Sequence, residues 1–254
     1  MNIVVTVKQI PDPNLAPALD GNRLKREGVA GVLDPGDEFG VEAGLQIAAG
    51  HSGEVTVVSM GPAQAMEAVR KALSMGAAKG ILVSDDGLQN SDALTTAKVL
   101  ASAIKKNGFD LIIAGVESTD GYTGVVPQMV ASLLGIPMLT FAKSIDVADG
   151  KVKINRQTEK GYDVVEASLP CVITVTAGVN EPRYPSFKGI VEAKKKPVEQ
   201  LSVSELDVSL DGGSASQSVE TINDAPTRGA GEVVEDDGTG AAKIADFLAQ
   251  AKVI

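Results

Sequence analysis

The residues best equipped for chemistry lie in one segment, Gly115-Val116-Glu117-Ser118-Thr119-Asp120-Gly121-Tyr122-Thr123-Gly124, directly after the apolar run 111–114. Three glycines permit close backbone approach, and Ser118, Thr119 and Thr123 supply hydroxyls. A helical pattern then starts at Val125 and Val126, and the free N–H groups of a helix start favour an anion. A phosphate meets that description. So does a plain Gly/Ser/Thr turn that caps a helix, and the pattern leaves both open. The segment is neither a GxGxxG fingerprint nor a Walker A loop, since no Gly-Lys-Ser/Thr follows. Two shorter turns are equally double. Met60-Gly61-Pro62 and Asp34-Pro35-Gly36-Asp37 both precede helical runs, so each reads as helix-start chemistry or as part of a ligand cradle. Thr6 closes the first apolar run, with Lys8 two residues later.

Other chemistries are poorly supplied. His51 is the one imidazole and Cys171 the one thiol, so a His-rich metal site, an intrachain disulfide and a Cys-x-x-Cys cluster are excluded. A Ser-His-Asp arrangement would have to use His51, which follows a helix and has no Gly-x-Ser-x-Gly elbow beside it. The reading for His51 is a cation at a helix C-terminus. Asp85-Asp86 and Asp236-Asp237 lie in turn or acidic sequence and read as solvated charge. No catalytic residue and no metal ligand is assigned.

A second segment suits contact rather than chemistry. Asn180-Glu181-Pro182-Arg183-Tyr184-Pro185-Ser186-Phe187-Lys188-Gly189 holds two of the eight aromatic residues between prolines, either as a docking surface or folded over the core. Downstream, Lys194-Lys195-Lys196 is a basic cluster in an acidic chain, either solvated or facing an acidic partner. The net charge of −10 disfavours nucleic acid as a ligand. No run reaches the roughly 18 to 20 apolar residues of a membrane span. The first residues lack the pattern of a signal peptide, so the expectation is a soluble, cytoplasmic protein.

These residues need a scaffold, and the pattern specifies one. Short apolar runs at 3–7, 55–59, 80–83 and 111–114 read as buried parallel strands, separated by helical stretches at 39–49, 63–75 and 92–106, the last behind a Ser91 cap. That alternation predicts an α/β fold with a right-handedly wound parallel sheet and helices on its faces. In such a sheet ligands sit beyond the carboxyl ends of the strands, where the loops above fall. Runs at 144–147, 152–156 and 164–168, the first two joined by Asp149-Gly150, predict antiparallel strands at an edge, and 171–176 a further strand. Residues 200–254 hold ten Asp and Glu against Arg228, Lys243 and Lys252, which is −7 of the −10, with Phe247 the single aromatic. The expected division is therefore a core over 1–199 and a poorly cored arm over 200–254 that ends in a helix at 241–252.

Five segments in order then resemble one family. They are Val5-Thr6-Val7-Lys8-Gln9-Ile10-Pro11-Asp12, Val58-Ser59-Met60-Gly61-Pro62-Ala63-Gln64, Arg70-Lys71-Ala72-Leu73-Ser74-Met75-Gly76-Ala77, the 115–124 loop, and Asn180-Glu181-Pro182-Arg183-Tyr184. Together they are similar to the beta subunit of electron transfer flavoprotein, along nearly the whole chain. The resemblance implies a Rossmann-like fold of the adenine-nucleotide alpha-hydrolase type. It also implies a heterodimer whose alpha subunit carries the redox-active FAD, which moves electrons from acyl-CoA or other flavin dehydrogenases to a quinone-linked oxidoreductase.

The same resemblance assigns residues. A structural AMP would lie among Thr6, Asp34, Pro35, Gly36, Asp37, Met60 and the stretch from Gly115 to Val126, its phosphate on the backbone of 121–126. In electron-bifurcating members a second FAD takes that pocket, and these often read Asp-Gly-Asp-Thr followed by Gly-Pro. This chain has Asp120-Gly121-Tyr122-Thr123 followed by Val126-Pro127, which points to AMP and keeps FAD as the alternative. The family's partner-recognition loop maps to 179–196, with Tyr184, Phe187 and Lys194, Lys195 and Lys196; Phe187 stands where several members have Leu. Residues 200–254 correspond to the arm that wraps the alpha subunit. A reading of another class shares the fold: a free-standing adenine-nucleotide-binding protein of the universal-stress type.

Overall fold

The computed structural model describes every residue except 211, 212, 224, 225, 227, 228, 230 and 232. The charges of Asp211, Asp224, Arg228 and Glu232 therefore lie outside the described residues. The chain forms two compact units, Met1–Val219 and Glu220–Ile254.

The first unit runs β1 (Asn2–Thr6), β2 (Gln9–Pro11), β3 (Leu19–Asp20), β4 (Arg23–Leu24), β5 (Gly31–Leu33), α1 (Pro35–Gly50), β6 (Glu54–Met60), α2 (Met66–Met75), β7 (Lys79–Val83), α3 (Ala93–Asn107), β8 (Leu111–Gly115) and α4 (Val126–Leu134). It continues with β9 (Met138–Ala148), β10 (Lys151–Thr158), β11 (Gly161–Ser168), β12 (Cys171–Val175), α5 (Phe187–Ala193) and β13 (Val198–Leu201). Nine strands form one sheet in the order β11-β10-β9-β12-β8-β1-β6-β7-β13. The seven from β9 to β13 pair in parallel, and β10 and β11 extend the β9 edge antiparallel. This is the expected α/β architecture. Asp149 and Gly150 turn between β9 and β10 with φ of 51° and 73°, the two positive values that a tight hairpin turn requires.

The strands are apolar throughout because both faces are covered. In β1, Ile3 and Val5 join the core shared with Val57, Leu73 and Ile173, while Val4 faces the opposite core with Val58, Ile104 and Ile112. Helix α1 packs on β1 and β8, and α3 packs against β6 and α4. The cap of α3 differs from expectation. Asp92, not Ser91, accepts the Thr95 N–H at 2.8 Å, because the Ser91 hydroxyl is bonded to the Leu88 carbonyl.

Packing continues past residue 200. β13 pairs with β7, and Leu201 and Leu206 are buried in the core beneath α3. Val203, Val208 and Leu210 pack against the same cluster. The second unit carries α6 (Gly240–Gln250), which leaves Ile244 and Phe247 exposed. Among the described residues no helix is long and apolar enough to cross a membrane.

The topology brings the candidate loops to one end of the sheet. The chain moves from β1 to β6 on one side and later places β8 on the other, so the loops leaving β1 and β8 diverge at their carboxyl ends. Such a switch point is where open α/β sheets hold ligands.

Candidate functional site

Three loops meet at the carboxyl ends of β1 and β8. After β1, Lys8 accepts the Asp34 N–H on its carbonyl at 3.0 Å and donates its own N–H to Asp37 Oδ2 at 2.8 Å. Asp34 is the N-cap of α1 and is fully buried. Its Oδ1 accepts the Gly36 N–H at 2.9 Å and the Thr119 hydroxyl at 2.7 Å, and its Oδ2 accepts the Thr119 N–H at 2.7 Å. Asp37, 8% exposed, lies so close to β8 that a Cβ on Gly115 would come within 2.9 Å of Oδ1. A side chain at 115 would force the Asp37 carboxyl to shift. Burial pushes the Asp37 carboxyl well above the usual carboxylate range and neighbouring Asp34 adds to this, against the opposing N–H bond from Lys8.

The post-β8 loop is held at a second point. Lys8 Nζ donates to Asp120 Oδ1 at 2.7 Å and to Ser118 Oγ at 3.1 Å, and Arg26, from the excursion between β4 and β5, pairs with Asp120 Oδ2. Burial alone would raise the Asp120 carboxyl, but the two cations, Lys8 foremost, hold it below its ordinary value. The loop then turns at Ser118, whose carbonyl accepts the Tyr122 N–H at 2.9 Å. Tyr122 adopts φ of 49°, uncommon for a non-glycine residue, and its ring is exposed. Helix α4 begins with Pro127 in its first turn and no side chain on its leading N–H groups.

The sequence-derived residues thus divide. Thr6, Asp34 to Asp37 and Gly115 to Val126 lie together at the carboxyl ends of β1 and β8. The carboxylates of Asp34, Asp37 and Asp120 are engaged within the chain, and the exposed residues of these loops include Glu117, Tyr122, Thr123 and Val125. Met60 ends the neighbouring strand, and its side chain packs against the core on the α3 face. Lys8 and Arg26 were not among the candidate residues. Lys8 carried a signal, a cation directly after an apolar strand, whereas Arg26 sits in an excursion without periodicity.

The second segment is fixed to the helices behind this cleft. Arg183 grips Glu42 of α1 bidentately, Nε to Oε2 at 2.7 Å and Nη2 to Oε1 at 2.9 Å, with its own N–H on Oε2 at 3.2 Å. Gln46 adds a bond at 2.8 Å to Glu42, which is 3% exposed. Burial would raise the Glu42 carboxyl, yet the bonds from Arg183 and Gln46 leave it below its ordinary value. Asn180 donates to the Phe39 carbonyl at 3.0 Å. From that base Tyr184 and Phe187 project, 94% and 84% exposed. Lys194 and Lys195 are exposed as well, whereas Lys196 is turned inward.

Elsewhere the chemistry is thin. A hollow of about 430 Å³ lies at the opposite, amino edge of the sheet, lined by Met1, His51, Phe109, Asp110, Leu169 and Pro170. Asp110 there is bonded to the Asn2 N–H. Burial raises the Cys171 thiol to about 11, which makes it a core residue rather than a nucleophile. The acids expected to be merely solvated act in turns: Asp85 accepts the Gly87 and Val203 N–H groups, and Asp236 and Asp237 accept those leading into α6. Among the described residues no group of three His, Cys, Asp or Glu could hold a metal ion.

A family model described as the electron transfer flavoprotein domain matches residues 22–206. The chain belongs to the electron transfer flavoprotein family. Its relatives place it on the beta-subunit side. It is 44% identical to the electron transfer flavoprotein subunit beta of Mycobacterium leprae, over 100% of this chain and 99% of that one. It is 38% identical to the subunit beta of Thermoanaerobacterium thermosaccharolyticum over 82% of this chain and 81% of that one. It is also 40% identical to the caffeyl-CoA reductase-Etf complex subunit CarD of Acetobacterium woodii, over 78% and 77%. Membership of this family assigns the chain to electron transfer.

Proposed function

We propose that this chain is the non-catalytic beta subunit of a heterodimeric electron transfer flavoprotein. It holds one structural AMP in the cleft beyond β1 and β8, while an alpha partner carries most of the FAD contacts. Segment 179–196 is the face presented to flavin dehydrogenases such as acyl-CoA dehydrogenases, and electrons leave for a quinone-linked acceptor. Residues 220–254 supply an arm for the alpha subunit. The family match favours this reading over a universal-stress-type protein. The cytoplasm is the proposed location.

One observation carries the nucleotide assignment. The cleft's buried carboxylates bind their own loops, which leaves the uncapped start of α4, the backbone of 121–126 and the hydroxyls of Thr6 and Thr123 to meet a ligand. Backbone N–H groups at a helix start suit a phosphate. A nucleotide held this way supplies binding energy and order to three loops, not electrons. Lys8 and Arg26 offset the charge of Asp120 beside that backbone, and the exposed Glu117, whose Oε2 would lie 3.3 Å from a Cβ on Gly124, is the carboxylate that an added anion would meet there.

The second occupant is FAD, which shares the adenylate half with AMP. Here Tyr122 stands where bifurcating members often carry an acid, which favours AMP. Heat denaturation of the purified heterodimer tests the choice: one FAD and one AMP per heterodimer are expected. Two FAD and no AMP would replace AMP by flavin in this cleft.

A further inference from the structure

Helix α5 has only seven residues, too few to persist on its own propensity. Its apolar side chains do little to hold it, because Phe187, Ile190 and Val191 are exposed and only Ala193 is buried. Something else must fix it. Helix α2 does so through polar contacts at the ends of both helices. Arg70 of α2 directs Nη1 to the carbonyls of Ala193 and Lys196, at 2.6 and 2.7 Å, just where α5 leaves its last carbonyls without helical partners. Lys196 returns the contact, with Nζ on the carbonyls of Leu73 and Ala77 at 2.9 and 2.7 Å, at the C-terminal end of α2. A cation at that end also meets the negative pole of the helix. The two helices approach so closely that a Cβ on Gly189 would lie 2.6 Å from the Ser74 carbonyl.

We infer that Arg70 and Lys196 are positioning residues that cap each other's helix end and thereby set α5, with Phe187 on its outer face, in a fixed orientation for a partner. The inference rests on the reading of 179–196 as the docking segment. It separates Lys196 from its neighbours: Lys194 and Lys195 are free to meet an acidic partner, whereas Lys196 works from behind the helix. It also explains why the exposed face carries apolar groups without collapsing onto the core. The α5 backbone is held at its C-terminal end by Arg70, at its N-terminal end by the Ser186 cap on the Gly189 N–H, and upstream by Arg183 on Glu42.

The test uses the complete heterodimer with an acyl-CoA dehydrogenase reduced by octanoyl-CoA as electron donor. Lys196→Met and Arg70→Met are expected to raise KM for the heterodimer about fivefold, with kcat and flavin content unchanged, since they add the cost of ordering α5 at docking. Lys196→Arg, which keeps a cation able to reach both carbonyls, is expected to restore KM. Amide exchange in residues 187–193 of the free heterodimer should quicken in both Met variants. Unchanged exchange and unchanged KM in Lys196→Met would overturn the positioning role. Phe187→Ala separates the two levels. If it leaves KM at the wild-type value, the docking reading fails and this inference with it. If Phe187→Ala raises KM while Lys196→Met does not, only the positioning role fails.

Discussion

The cleft beyond β1 and β8 and the segment 179–196 are built by opposite rules. In the loops beyond β1 and β8 three acids point inward: Asp34, Asp37 and Asp120 are buried or nearly so and bind the loops around them, while Glu117 is exposed. In segment 179–196 the aromatic groups point outward, and the groups that fasten it are the charges of its own Arg183 and Lys196 and of Arg70 on α2. Both regions use buried ionic and polar contacts as fasteners. The difference lies in what remains exposed: backbone, hydroxyls and Glu117 in one, apolar side chains in the other. Exposed backbone suits a small anion, and exposed aromatic surface suits a protein. Helix α1 serves both, with Asp34 at its N-cap and Asp37 in its first turn on the side of the strand-end loops and Glu42 further along holding Arg183.

The cleft's fastener carries the larger predicted effect. Asp34→Ala removes the α1 cap and leaves the Thr119 N–H and the Gly36 N–H without their acceptor in a buried setting. An N-cap contributes up to about 2 kcal/mol and a hydrogen bond to a charged group about 1.5–3 kcal/mol, not additively, so a loss of about 3 kcal/mol is expected in urea unfolding. A loss under about 1 kcal/mol would mean that the three loops are held together without this carboxylate. Retained nucleotide is also expected to fall, because Thr119 opens the loop that leads to 121–126.

Breaking the fastener of segment 179–196 should cost less. Arg183→Met strands Glu42, which is buried, but Arg183 itself is half exposed and water can reach the gap. Breaking a buried pair typically costs 3–5 kcal/mol, so about 2 kcal/mol is expected here after solvent access is allowed for. The comparison is sharpened by what does not change: nucleotide content should match the wild type, since the side-chain bonds of Arg183 run to Glu42 of α1 rather than to the loops beyond β1 and β8. Loss of nucleotide in this variant would show that α1 couples the two regions more tightly than their separate fasteners imply.

What the sequence made legible follows the same division. The parallel strands could be read because strands covered on both faces are continuous apolar runs, as in residues 3–5 of β1 and 111–114 of β8. The cleft could be located because strand ends and glycines are local signals. Its fasteners could not, because Lys8–Asp120 and Asp34–Thr119 join residues far apart in the chain, with no spacing to betray them. Helix α5 was hidden by Pro185 and Gly189, which read as loop, and its polar supports come from α2, more than a hundred residues earlier. The stretch after 200 read as arm because acids dominate its composition. Leu201, Val203, Leu206, Val208 and Leu210 nevertheless pack against the core under α3, and only the fold shows where they go.

The smallest predicted effect tests whether that stretch is fastened by the same device. Asp92 caps α3 on the Thr95 N–H and also accepts the Ser216 N–H at 2.8 Å, tying residue 216 to the helix start. The Thr95 N–H, then that of Ser216, hold its carboxyl at about 2, against an ordinary 3.8. A carboxyl depressed in the folded state stabilises above its unfolded pKa, so this contribution is complete above about pH 5 and is lost as the pH falls toward 2. Asp92→Ala is therefore expected to cost about 1 kcal/mol at pH 7, the size of an exposed N-cap. The gap between variant and wild type should narrow steadily in urea unfolding from pH 5 to pH 3. Amide exchange at residues 214–216 should quicken in the variant at neutral pH, where the carboxylate of the wild type is fully ionised. A gap independent of pH would assign the effect to helix propensity alone and leave Ser216 without an ionic fastener.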